Sequence, residues 1–167
     1  MSDVEWREMA SVNEGSWRAH IKSLFPREGE RPVLEVEAIT RGCHPNAKLL
    51  GHVEPAGHAL LTWTPDQFPI SGSGRHGTRY RNEIDGLYRP TVENALRHAW
   101  LLLGHRPSVR IVGAGPTLEP AEAAVAMGAA ALAIAVHSEE AGALDVDSIR
   151  EVLRRRPWEA LPRTGTS

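Results

Sequence analysis

The chain has 167 residues, a formal net charge of −2 and a pI near 6.4, enough for one domain with a real hydrophobic core and too little for two ordinary ones. Its near-neutral balance lacks the strongly basic surface of a dedicated nucleic-acid binder, so nucleic acid is disfavoured and bulk charge names no partner. One cysteine, Cys43, excludes an internal disulfide, and the first residues lack the basic-then-apolar order of a signal peptide. The longest apolar stretch, 125–136, falls short of the roughly 20 residues that cross a bilayer, so a cytoplasmic protein with no membrane insertion is expected.

Along the chain, Trp17, Ile21 and Leu24 fall at helical spacing, which predicts a helix over 14–25 ended by Pro26 and Gly29. The segments 33–39 and 57–64 read as strands from their β-branched, extended character and bounding Pro and Gly. Between 64 and 77 the prolines, serines and glycines predict an ordered loop or flap. Pro90 suits the first turn of a helix whose stripe is Val92, Leu96, Ala99 and Leu103 and whose stop is Gly104. A strand over 108–112 then runs into Gly113-Ala114-Gly115-Pro116, a helix capped by Thr117 extends to about Met127, and 131–136 reads as a buried strand. The last helix starts near Asp145 or Asp147, has Ser148 and Glu151 at capping-box spacing, buries Ile149, Val152 and Leu153, and halts at Pro157. The expected architecture is a single α/β domain over 1–157, a central mixed sheet flanked by helices, with a loose tail over 158–167.

The segment richest in chemistry is 72–81, Gly-Ser-Gly-Arg-His-Gly-Thr-Arg-Tyr-Arg, with three glycines and three arginines in ten positions. Glycines let backbone amides approach phosphate oxygens, and guanidinium forks close on them with charge-assisted bonds. If Thr78 caps a helix that begins at Arg79, the free amides of its first turn add to the attraction. Gly77, Thr78, Arg79 and Arg81 are therefore the candidate phosphate ligands. The alternative is a solvated turn whose arginines pair with Glu83 and Asp85.

Gly77-Thr78-Arg79-Tyr80-Arg81 resembles the Gly-Thr-Arg-His-Arg motif of diadenylate cyclase domains of the DNA-integrity-scanning type, which handles the triphosphate of ATP. The run 131–142, with Ser138-Glu139-Glu140-Ala141-Gly142 at its end, is similar to that family's apolar strand followed by Ser-Glu-Glu-Thr-Gly. The resemblance implies phosphate binding by Thr78, Arg79 and Arg81, a divalent cation such as Mg or Mn held by Glu139, and Ser138 lining the ligand. Gly57-His58-Ala59 stands where the family has Asp-Gly-Ala, and Tyr80 replaces the central histidine, so the implied relative is a nucleotide-binding sensor rather than an active cyclase.

Other motifs have plainer readings. Gly113-Ala114-Gly115 lacks the third glycine of the dinucleotide fingerprint, Leu118 standing in its place, and reads as a strand-to-helix turn. Cys43, His44, His52 and His58 match no closed zinc spacing, and no base or oxyanion context marks Cys43 as a nucleophile. Arg150, Arg154, Arg155 and Arg156 complement the negative pole of the last helix, and the scattered tryptophans read as core. The expected function is binding of a nucleotide or other phosphorylated small molecule. Two alternatives are a non-catalytic module whose basic loop and Arg-rich helix meet an acidic protein partner, and a hydrolase or transferase using His76, Glu83 or Asp85.

Overall fold

The structure is a computed structural model that describes residues 6–24, 33–42, 44–54, 60–64, 86, 88–104, 107–114 and 122–160. Strand β1 (Trp6–Glu14) turns through Gly15 and Ser16 into β2 (Trp17–Leu24), and β3 (Val33–Ile39) and β4 (Ala47–Val53) continue an antiparallel meander. After β5 (Leu61–Trp63) come helix α1 (Arg89–Leu103) and strand β6 (Val109–Ala114). The long helix α2 (Glu122–Glu140), then α3 (Val146–Arg155) and the short α4 (Pro157–Ala160), complete the described chain. The strand order is β1-β2-β3-β4-β6-β5, with β6 antiparallel to β4 and parallel to β5. The chain is thus a single α/β domain on a mixed six-stranded sheet.

Two expectations change. No helix forms over 14–25; that stretch is the β1–β2 turn and strand β2. Trp17 and Ile21 are four residues apart, which fits one face of a helix and one face of a strand alike. Ala19 decides the matter, because Trp17, Ala19 and Ile21 are all buried, a period of two. Gly15, at φ 64°, supplies the left-handed residue of the tight turn. The second change concerns 131–136, which is not a strand. It belongs to α2, an unbroken helix of 19 residues.

The apolar run 124–136 is buried on every side of α2. One side lies on β3 and β4, and α1 and α3 pack on the others. Alanine carries the highest helix propensity and the smallest side chain with a Cβ, so an alanine-rich helix both forms readily and approaches a sheet closely. Gly128 sits where a Cβ would meet Ala38 Cβ at 3.5 Å and Leu49 Cδ1 at 3.6 Å. At Gly51, on β4 opposite Leu132, the fit is tighter. A Cβ there would lie 2.7 Å from the Arg110 carbonyl and 3.0 Å from Leu132 Cδ2, and the β4–β6 register shifts between Leu50 and Gly51.

Helix α1 follows its sequence signals, and α3 starts at the expected Asp145, although Asp145 rather than Ser148 is the cap and Glu151 bonds Arg154 instead of closing a capping box. Pro90 occupies the first turn of α1, Val92, Leu96 and Ala99 are fully buried, and Gly104 ends the helix in the left-handed conformation, its N–H donating to the Trp100 carbonyl. In α3, Asp145 is the N-cap and accepts from the Ser148 N–H at 2.9 Å, while Ile149, Val152 and Leu153 are buried. Hydrogen bonds from Ser148 hold the Asp145 carboxyl below its usual range.

The core continues past Pro157. Trp158, assigned to the tail by the sequence, is buried and stacks on Trp17 with centroids 6.1 Å apart. Arg156 ends α3 at φ 46° and lays its guanidinium 3.7 Å from the Trp17 ring centre. That cation–π contact offsets a left-handed conformation costing about 1–2 kcal/mol in a non-glycine residue.

The packing at the α2–sheet seam separates two glycine substitutions. Gly51→Ala is expected to cost about 1–3 kcal/mol, since backbone Arg110 must move. Gly128→Ala is expected to be neutral or to gain about 0.5–1 kcal/mol from helix propensity, its new contacts being ordinary ones. Urea titration of both variants checks this, and equal effects would contradict the seam described.

Candidate functional site

Strands β5 and β6 form the one parallel pair among the described residues, with Leu61 opposite Val109 and Trp63 opposite Ile111. The Thr64 N–H closes the pair by donating to the Ile111 carbonyl at 2.9 Å. With α1 between them in the chain, they make a β-α-β unit, and both strands therefore end at the same edge of the sheet. Past Thr64 the next described residues are Gly86 and Tyr88, at the head of α1; past Ala114 the chain is described again at Glu122, at the head of α2.

The helix directions follow from their far ends. Helix α1 stops at Gly104, just before Pro107 and the start of β6. Near the C-terminus of α2, His137 Nε2 accepts the Ser108 N–H at 3.1 Å, again at the start of β6. Both helices thus end where β6 begins, and the head of α2 lies at the carboxyl end of the parallel pair. In open α/β sheets that edge is where ligands bind. Tyr88, the N-cap of α1, makes no side-chain capping bond, and the first turn of α1 carries no acidic residue.

Of the residues singled out in the sequence, Gly77, Thr78, Arg79 and Arg81 lie outside the described residues, as do Cys43, His58, His76, Glu83 and Asp85. Ser138 and Glu139 are described, and they come off a helix end rather than a strand. The Ser138 hydroxyl donates to the Ala135 carbonyl at 3.2 Å and accepts the Asp145 N–H at 3.0 Å, which ties α2 to the cap of α3. Glu139 lies on the last turn, about 25 Å along α2 from its head by helix rise. It is therefore remote from the carboxyl edge of β5 and β6. Among the described residues no group of three His, Cys, Asp or Glu side chains is placed to hold a metal ion.

The sequence reading missed a cluster on the sheet face opposite α2. On β3, Glu35 and Glu37 share that face, with Lys22 and His20 opposite them on β2 and Lys48 opposite Glu37 on β4. Lys22 Nζ donates to Glu37 at 2.8 Å. Burial and a hydrogen bond to Glu37 push the Glu35 carboxyl up to about 7. Burial alone would raise Glu37 as well; the bonds from Lys22 and Glu35, with the charge of Lys48, outweigh it and hold Glu37 low. The pair thus carries one proton near neutrality, with protonated Glu35 donating to ionised Glu37. The available signal was the alternation in Val33-Leu34-Glu35-Val36-Glu37-Ala38-Ile39, which puts both carboxylates on one side of a strand.

Further along the sheet, Arg110 grips the buried Glu54 through two bonds of 2.6 and 3.0 Å, pinning the end of β4 to β6. His98 on α1 is also buried, and its Nδ1 has no hydrogen-bond partner among the described residues. Burial lowers its pKa.

No protein-family model matches the chain, and neither a curated protein nor a solved structure is significantly similar to it. The class defined by the fold is a single α/β domain with one β-α-β unit appended to an antiparallel meander.

The Glu35 shift sets a pH dependence with a definite sign. A folded pKa raised above the unfolded value gives stability that is complete below about 4.5 and is lost as pH rises through about 7. His98, held neutral by burial, acts the other way as pH falls through its ordinary value of 6.5, so the test compares variants rather than the wild-type profile alone. Relative to wild type, Glu35→Gln is expected to grow more stable between pH 5 and pH 8. A pH-independent difference in denaturation midpoint would refute the shared proton.

Proposed function

We propose that this domain binds a nucleotide or another phosphorylated small molecule at the carboxyl edge of β5 and β6, through Gly77, Thr78, Arg79 and Arg81. The observation that carries the reading is the β-α-β unit itself. The chain holding the glycine- and arginine-rich segment 72–81 leaves the end of β5 and re-enters at the head of α1. Connections of this kind, after a parallel strand and before a helix, are where α/β domains present backbone amides and a positive dipole end to phosphate.

The likeness of Gly77-Thr78-Arg79-Tyr80-Arg81 to the triphosphate-handling motif of diadenylate cyclases agrees with this reading. It favours a sensor without cyclase activity. A divalent cation, Mg or Mn, would enter with the polyphosphate, whose oxygens are its natural ligands; Glu139, on the far turn of α2, is left out of that site. A cytoplasmic setting, where nucleotides are held, belongs to the same proposal.

Calorimetric titration with ATP, and with pyrophosphate for the anion alone, tests it. Replacing Arg79 and Arg81 together by alanine removes two charge-assisted contacts and is expected to weaken binding by about 100-fold or more, each such bond contributing about 1.5–3 kcal/mol. Glu139→Ala is expected to leave binding unchanged, and the thermal midpoint of the ligand-free protein should not move in either variant. Wild type that gives no heat with any nucleotide tested overturns the proposal. Strongly salt-dependent capture of an acidic protein in the absence of such heat would favour the interaction-module alternative instead.

A further inference from the structure

Strand β1 is the outermost strand of the sheet on the side away from the β-α-β unit, and among the described residues no strand pairs with its outer edge. Helix α3 packs over it. The two elements run in the same direction, from the end where α2 hands over to α3 toward the β1–β2 turn; Arg154 at the end of α3 is raised above its ordinary range mainly by its bond to Glu151, and the charge of Glu14 at the end of β1 adds to this.

The charges on this margin are distributed unevenly along its length. Strand β1 begins with exposed Arg7 and ends with Glu14. Arg7 is paired with Ser23, and Glu14 with Trp17, so both lie on the helix side of the sheet, as does buried Val12. On α3 the order is reversed. Asp147 in its first turn is 95% exposed, while Arg154 and Arg155 in its last turn remain 59% and 62% exposed beyond their bonds to Glu151.

A two-fold axis perpendicular to the sheet, lying just outside the free edge of β1 and level with its middle, sets each end of the margin beside the other end of a second copy. Arg7 then meets the partner's Glu14, and Asp147 faces the partner's Arg154 and the partner's Arg155. Both elements are made complementary by the same operation, whereas a parallel arrangement would set like charges side by side. Glu8, Ser11 and Asn13 expose polar side chains on the face of β1 turned away from α3. The bulge between Glu8 and Ala10 re-aims the first residues of β1, a feature that limits indiscriminate edge pairing.

We infer that β1 and α3 form a self-complementary interface through which two copies of this chain pair antiparallel, joining their sheets edge to edge. Sedimentation equilibrium over about 1–200 µM at low and high salt tests this, together with a charge swap. Wild type is expected to show a monomer–dimer equilibrium that weakens with salt. Arg7→Glu or Glu14→Arg alone is expected to raise the dimer Kd by about tenfold or more, and the double swap to return it to within about threefold of wild type. Circular dichroism establishes that each variant is folded; should Glu14→Arg not fold, Arg7→Glu alone decides. Wild type that stays monomeric throughout the range, a folded Arg7→Glu variant that dimerises as well as wild type, or a folded double swap that fails to recover would each overturn the interface.

Discussion

The architecture depends on how closely helix α2 lies against β3 and β4. Alanines along the helix and Gly128 within it keep helix and sheet close, and at Gly51 beneath Leu132 there is no room even for a Cβ. Because α2 is enclosed by the sheet, α1 and α3, its apolar surface is used within the domain. It is the one described helix long and apolar enough to cross a membrane, and most of that length is buried in protein. The other helices are placed by it. Helix α1 lies beside it along the β-α-β unit, and α3 folds back from its C-terminal turn to cover β1.

Concentrating the helices on one face gives the sheet two different surfaces. The helix side carries the apolar alternation of every long strand, from Val12 through Ile21, Val36 and Leu49 to Ile111. The opposite side carries a smaller apolar group, Val33, Leu50 and Val112, with ionisable groups around it that satisfy one another across strands. Lys22 bonds Glu37, Glu37 accepts the Glu35 proton, and Arg110 clasps Glu54. The Lys22–Glu37 and Arg110–Glu54 contacts link neighbouring strands, so these polar groups hold register as well as charge. A half-buried carboxyl that shares its proton is stable only while its partner stays within hydrogen-bond reach, which ties the ionisation of this face to the pairing of β2, β3 and β4.

The segment proposed to bind phosphate falls, in chain order, at the junction between two sequence styles. The antiparallel meander of the first part has short connections and no helix among its described residues, whereas the second part alternates strand and helix. The glycine- and arginine-rich segment falls where one style passes into the other, between β5 and α1. Among the described elements this is the first place in chain order where a strand is followed by a helix, and a helix head is where free amides can meet an anion.

Helices α1 and α3 were legible because each carries an amphipathic stripe bounded by local signals, Pro90 and Gly104 for one and Asp145 with Ser148 for the other. Strands β3 and β6 were legible from β-branched runs between breakers. What misled was ambiguity of period. Residues 17 and 21 satisfy helix and strand alike, and the apolar run 131–136 is uniform, so periodicity could not tell a strand from a helix buried all round. Strands β1 and β4 carry mixed polar and apolar residues whose alternation has meaning only once a neighbour covers one face. The carboxylate pair was hidden for the same reason, since alternation alone puts Glu35 and Glu37 on one side, but only strand pairing brings Lys22 and Lys48 to them.

By itself, then, the order of residues determined what rests on contacts within a few positions: helix caps and stops, turn glycines, and the chemical character of segment 72–81. Tertiary structure decided the identity of α2, the parallel pairing of β5 with β6, the separation of Glu139 from that edge and the raised pKa of Glu35. Each of these depends on groups distant in sequence being desolvated together, a condition that no local window of the chain contains.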